Sequence, residues 1–254
     1  MISKNQIKYI QSLHSKKNRE QENIFVIEGI KVVLEFLTDA SFEVKGIYGT
    51  TDFIEGNKHI VEKSNVVFNE ITDEELKKIS LQANPNQVLA LIEYKKQQLN
   101  VELLNSAITL YLDDIRDPGN LGTIIRIADW FGIKQVICSP TTTELYNPKT
   151  LQSSMGAILR VNVVYVEFDK LLPHLKEIPL YGAVLNGQNI YTSTLKNGVI
   201  VIGNEANGIS EHVLKQITHS ITIPAAPNNG SESLNAANAC GIICSEFFRQ
   251  LNFK

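Results

Sequence analysis

The chain holds only three cysteines, five histidines and one tryptophan among its 254 residues, and each scarcity narrows what it can be. Cys138, Cys240 and Cys244 are an odd number and make no disulfide framework. Cys240 and Cys244 share a helix face, yet no third or fourth ligand stands nearby, so small buried thiols are expected and not a metal site. The histidines, at 14, 59, 174, 212 and 219, show no metal-ligand spacing. No apolar run reaches the ~20 residues of a membrane span. The opening "MISKNQIKYIQSLHSKKNRE" lacks the apolar core of a secretion signal. A soluble cytoplasmic protein without metal or membrane partner is the expectation. Glycine-rich cofactor fingerprints are missing too: there is no GxGxxG after a strand and no GxxxxGK[ST]. Neither a nucleophile elbow nor a Cys–His pair is evident.

Charge of one sign is also lacking. A net charge of −3 gives no overall electrostatic case for a nucleic-acid partner. The first twenty residues differ, because Lys4, Lys8, Lys16, Lys17 and Arg19 face the single acid Glu20. Such a run is either a solvated helix face or an RNA-contacting arm, since phosphate contact needs only a local basic patch.

What is present is enough apolar content, 43%, to bury a good core in one large or two ordinary domains. Strand-like runs alternate with helical patterns, the mark of an α/β protein with a mainly parallel sheet. Strands are expected over 23–29, 44–50, 65–71 and 87–94, with helical "IKVVLEFL" and "TDEELKKIS" among them. The polar run "KKQQLN" (95–100) reads as a linker. Further strands are expected near 107–114, 134–139, 160–166, 180–185, 198–203 and 219–224, with a helix over 233–251. The domains predicted are 1–98 and 106–254.

Three stretches load strand ends with glycine, asparagine and acid: "LDDIRDPGNLGTIIRIADWFG" (112–132), "VIVIGNEANGIS" (199–210) and "ITIPAAPNNGSESLNAANACG" (221–241). Strand ends are where open α/β sheets bind ligands. Singly, each has a structural explanation: a helix cap near Ser233, a tight turn at Gly203, a surface acid at Glu205, or Arg126 paired structurally with Glu205.

Together and in this order, the chain resembles the SpoU/TrmH-type RNA 2′-O-ribose methyltransferases of the SPOUT class. The resemblance rests on "DPGNLGTIIRIA", "YNPKTLQSSMGAILRV", "VIVIGNEANGIS" and "IPAAPNNGSESLNAANA", and on "FVIEGIKVVLEFL" near the start. It spans nearly the whole chain, although the loop 225–232 is somewhat longer than the common family form. The resemblance implies a C-terminal mainly parallel sheet with helices on both faces and a trefoil knot, which general rules of topology would not suggest. It also implies a smaller N-terminal α/β RNA-binding domain and a homodimer. The cofactor implied is S-adenosylmethionine, held by main-chain groups around Gly203, Ile223 and Leu234, with Leu185 as a further candidate. Arg126, Asn120, Glu205, Ser233 and Asn235 are the implied catalytic set. The substrate implied is RNA, by the separate N-terminal domain a ribosomal RNA. The rival reading is a non-catalytic RNA-binding or ribosome-assembly protein on the same scaffold. A small-molecule nucleotide-dependent enzyme is disfavoured by the absent fingerprints.

Overall fold

The computed structural model describes residues 2–64, 66–228 and 230–253. The chain divides into two compact units, Met1–Lys96 with Tyr146–Leu159, and Gln97–Leu145 with Arg160–Lys254. The segment 146–159 therefore packs in the first unit, although a division at 98/106 puts it in the second domain. Among the described residues no helix is long and apolar enough to cross a membrane.

The first unit holds strands β1 (Ile24–Glu28), β2 (Val44–Gly49), β3 (Phe68–Glu70) and β4 (Val88–Glu93), in the order β1-β4-β2-β3. β4 runs antiparallel to both β1 and β2, and only β2–β3 is parallel. This sheet is mixed, not mainly parallel, because β4 returns between two strands that the helical segments had already separated. β1 is buried on both faces, which explains why it reads as a continuous apolar run. On one face Phe25 meets Phe36 and Phe42 edge-on and stacks on Tyr146 with ring centroids 4.4 Å apart. On the other, Val26, Leu89 and Leu91 pack with Ile10, Leu13, Leu76 and Ile79. Ile10 and Leu13 come from helix Lys4–Ser12 and its C-terminal cap, Leu76 and Ile79 from helix Asp73–Ile79. Both helices begin in a capping box, Ser3 with Gln6 and Thr72 with Glu75.

The basic opening needs one correction. Arg19 is 2% exposed, and its guanidinium donates to the carbonyl oxygens of Leu13 and His14 at 2.9 Å. It fastens the turn between two helices and is buried from solvent, whereas Lys4, Lys8, Lys16 and Lys17 are exposed.

The second unit carries a six-stranded, wholly parallel sheet: β5 (Ile108–Leu112), β6 (Gln135–Cys138), β7 (Asn162–Tyr165), β8 (Leu180–Asn189), β9 (Gly198–Ile202) and β10 (His219–Thr222). Their order is β10-β8-β9-β5-β6-β7. Side chains alternate across the sheet. Tyr111, Ile137, Val164, Val199 and Val201 face a core completed by Leu104, Phe168, Leu171 and Val213. On the opposite face Tyr181 meets Phe247 edge-on at 4.9 Å, placing helix Ala236–Asn252 there. That helix packs against helix Pro118–Trp130, with Phe131 and Phe248 rings 5.6 Å apart. Helices thus cover both faces, as the family resemblance implied.

β10 pairs with β8 in two registers. Ser220 lies opposite Gly182, but the next residue, Ile221, lies opposite Gln188. Residues 183–187 loop out between, and the two backbones nearly touch. A Cβ on Gly187 would lie 2.6 Å from the Ile221 carbonyl carbon and 2.8 Å from its nitrogen. Gly187→Ala is therefore expected to destabilise the protein by roughly 1–3 kcal/mol, read as a lowered melting temperature of the full chain. Gly56→Ala, where a Cβ meets nothing within 4 Å, should leave it unchanged or slightly raised. Equal melting temperatures for the two variants would contradict the close approach.

Candidate active site

The strand order fixes where a site can form. From β5 the chain adds β6 and β7 on one side, then returns to place β9, β8 and β10 on the other. Loops leaving β5 and β9 therefore diverge to opposite sides at their C-terminal ends, which opens a crevice there. All nine candidate residues lie on or follow the C-terminal ends of four adjacent strands: Asn120 and Arg126 after β5, Gly203 and Glu205 after β9, Leu185 in β8, and Ile223, Ser233, Leu234 and Asn235 after β10.

Three of them meet directly. Asn120 Nδ2 donates to a Glu205 carboxylate oxygen at 2.5 Å, across the reversal of strand order. Asn235 Nδ2 donates to Asn120 Oδ1 at 2.9 Å. Each partner is held by its own loop. Asp117 caps helix 118–130 by accepting from the Asn120 amide, with Pro118 at the first helical position. Asn235 caps helix 236–252, its Oδ1 accepting from the Ala237 and Asn238 amides. So the helix-cap explanation near Ser233 holds for Asn235, which nevertheless still has its Nδ2 for Asn120. One amide thus fixes a helix start and a neighbour's side chain together.

Arg126 stands apart from this network. Its side chain is exposed, and it makes no hydrogen bond or ion pair among the described residues. The structural pairing with Glu205 is not seen, since that carboxylate is taken by Asn120. At ~100° per residue, Arg126, Trp130, Thr123, Ile127 and Asn120 fall within an arc of about 120° on helix 118–130. Leu121, Ile124, Ile125 and Ala128 fill the buried remainder. The sequence put a charge among apolar neighbours; the helix turns it away from them. Ser233 is likewise exposed and without a hydrogen bond among the described residues.

The other candidates present backbone. A Cβ on Gly203 would lie 2.3 Å from the Gly208 carbonyl carbon, so only glycine closes the 203–208 turn. Thr222 Oγ1 donates to the Leu185 carbonyl at 3.0 Å, tying that loop to the residue before Ile223. Leu185 and Leu234 are 69% and 49% exposed, two apolar side chains left facing out beside polar main chain. An open cavity of about 370 Å³ lies at the β10 edge, lined by Asn186–Gln188 and Thr218–Ser220, and includes none of the nine candidates.

The remaining chemistry-bearing groups do not compete. Burial pushes the Cys138 thiol up, and the contact with Cys244, with burial, pushes Cys240 up, so both stay protonated at neutral pH. No cluster of three or more His, Cys, Asp or Glu able to hold a metal occurs among the described residues.

Residues 107–245, more than half of the chain, match the SpoU rRNA methylase family. The chain belongs to that family. Residues 4–90 match the MRM3-like substrate binding domain. A SpoU-family relative in Bacillus subtilis, the 23S rRNA (guanosine(2553)-2′-O)-methyltransferase RlmP, is 28% identical over 250 residues, 95% of each chain. A solved TrmH-family structure from Porphyromonas gingivalis is 35% identical, with a TM-score of 0.85 over 98% of this chain and 99% of that one. The AdoMet-bound rRNA methyltransferase of Sinorhizobium meliloti shares the fold, with a TM-score of 0.86 over 100% and 97% of the chains, at 24% identity.

Sequence reasoning missed the residues that brace this SpoU-family site from behind. Asp113 and Asp114 close β5, and Asn204 precedes Glu205; the doubled aspartate after a buried strand was their visible signal. The double use of Asn235 yields a separation of variants. Asn235→Ala should lose the cap and about 1 kcal/mol of stability. Asn235→Asp should keep the cap and most of the melting temperature while losing the donor to Asn120. Equal melting temperatures for the alanine variant and wild type would show that the cap contributes nothing.

Proposed function

We propose that this SpoU-family chain methylates the 2′-oxygen of an RNA ribose, using S-adenosylmethionine, with a ribosomal RNA as substrate. The observation that carries the reading is the Glu205–Asn120–Asn235 chain across the reversal of strand order, with an exposed arginine on the adjoining helix face. The name of the Bacillus subtilis relative, a 2′-O-methyltransferase of 23S rRNA, supports the same chemistry and substrate class. A non-catalytic RNA-binding protein has no chemical need for an amide–carboxylate network at a ligand-binding crevice.

The residues fit the cofactor. Main-chain groups around Gly203, Ile223 and Leu234 follow the two strands flanking β8, with Gly203 closing its turn tightly against Gly208. The exposed Leu185 and Leu234 side chains offer apolar cover for a purine ring. S-adenosylmethionine, when bound, supplies the electrophilic methyl group. The protein must then orient a ribose hydroxyl and stabilise the charge that develops as its proton passes to solvent water, which reaches the exposed Arg126 and Ser233. Arg126 brings a planar guanidinium cation with paired N–H donors. It acts by stabilising the developing alkoxide and pinning an adjoining phosphate, not as a free base. Glu205 fixes the Asn120 amide, Asn120 in turn receives Asn235, and Ser233 brings a hydroxyl that can bind the ribose.

In this reading residues 1–98 bind RNA through the exposed Lys4, Lys8, Lys16 and Lys17, and residues 106–254 form the methyltransferase domain, working in the cytoplasm. The looping-out of 183–187 beside β10 supports a trefoil knot at this end of the sheet. Trp130, 83% exposed one turn beyond Arg126, and Phe253, 65% exposed, support a homodimer that covers them near the site.

Arg126→Ala should lower turnover by a factor of about 10² to 10³, the usual loss for one electrostatic donor, with cofactor affinity and melting temperature unchanged. Arg126→Lys should restore little, since an ammonium cannot make the planar two-pronged contact. Methyl transfer, cofactor calorimetry and melting measured on one preparation decide it. A stable, cofactor-binding alanine variant with wild-type turnover would refute the role.

A further inference from the structure

The loop that carries Glu205 is fastened to the end of β5 at both of its own ends. At its start, Asn204 is buried, and its Nδ2 donates to the Asp114 carbonyl at 2.8 Å. The same side chain's Oδ1 accepts from the amides of Ala206 and Asn207 at 2.9 and 3.1 Å, shaping the turn from inside. Backbone bonds between Asn204 and Gly208, 2.9 Å in each direction, close it. At the loop's far end the buried Asp113 carboxylate accepts from the Ser210 amide at 2.7 Å. Glu205 sits between these two anchors, with its backbone set by the first.

The acceptor on β5 is itself prepared. Asp114 has φ +60°, a left-handed conformation uncommon outside glycine but tolerated by aspartate. In that conformation its amide donates to Ser139 Oγ at 2.9 Å while its carbonyl meets Asn204. The strain is local, and it turns a carbonyl that would otherwise continue the strand toward the neighbouring loop.

We infer that Asn204 is a positioning residue for methyl transfer, holding the 204–210 loop on Asp114 so that Glu205 reaches Asn120. The inference rests on the proposed function. Asn204 touches no reacting atom; its effect passes through Glu205 alone. A residue that acts through another adds nothing once that other is gone, so the two substitutions should not be additive.

Asn204→Asp is the informative variant. It keeps the oxygen that shapes the turn, removes the donor to Asp114, and sets a carboxylate against that carbonyl. Turnover is measured on the full chain with methyl-labelled S-adenosylmethionine and ribosomal RNA from cells deleted for this gene. Glu205→Ala should lower turnover about 100-fold and Asn204→Asp about tenfold, with the RNA KM little changed in either. The double variant should match Glu205→Ala within about twofold. Without cofactor or RNA, hydrogen exchange at the Ala206 and Ser210 amides should quicken in Asn204→Asp by more than its fall in melting temperature accounts for. If Asn204→Asp fails to fold, Asn204→Ser, which also keeps an acceptor, takes its place in the same cycle. Additive losses, or a loss that tracks the folded fraction, would overturn the inference and leave the functional reading standing. Wild-type turnover in Glu205→Ala would overturn both.

Discussion

Everything at the candidate site depends on one reversal. The sheet grows from β5 in one direction through β6 and β7, then in the other through β9, β8 and β10, so two loops part at the β5–β9 boundary. The bond from Asn120 to Glu205 spans that gap. Nothing in local propensity requires a helix start to hold a side chain from a loop 85 residues further along the chain. Topology brings them together, and the caps at Asp117 and Asn235 hold the two helix ends still while they meet. Two glycines answer to close backbone instead, Gly203 inside its own turn against Gly208 and Gly187 against Ile221, where neither leaves room for a Cβ.

Charge shows how a local arrangement can override a global average. A net charge of −3 gives no reason to expect RNA, and Arg19, the one arginine in the basic opening, is consumed inside a turn. The exposed cations include the four lysines of the opening in one unit and Arg126 in the other. Phosphate recognition depends on where cations stand and how strongly they are desolvated, not on their sum.

The strands were the most legible feature. Each of the ten apolar runs expected to be a strand overlaps one, from Ile24–Glu28 to His219–Thr222, although β8 outruns its expected end at 185 to reach Asn189. Pairing direction in the first sheet was not legible, since it depends on where β4 inserts and not on how β4 reads. Nor was the placing of 146–159, whose Tyr146 earns its position from Phe25, far away in sequence. At the site, residue types and order were visible as family motifs; the contact between Asn120, Glu205 and Asn235 was not. The supports left only the doubled aspartate as a signal, and their roles were not legible. Asp113, Asp114 and Asn204 look like ordinary polar loop residues until the left-handed turn at Asp114 and the burial of Asn204 show what each one holds.

The central claim is that methyl groups go to ribose oxygen. It is tested by incubating the protein with methyl-labelled S-adenosylmethionine and undermodified ribosomal RNA, then hydrolysing the product in alkali. A 2′-O-methylated ribose cannot form the cyclic phosphate through which RNA is cleaved, so the label should remain in alkali-resistant dinucleotides. Label recovered on a base in alkali-released mononucleotides, or no transfer by a folded protein that binds the cofactor, would contradict the account.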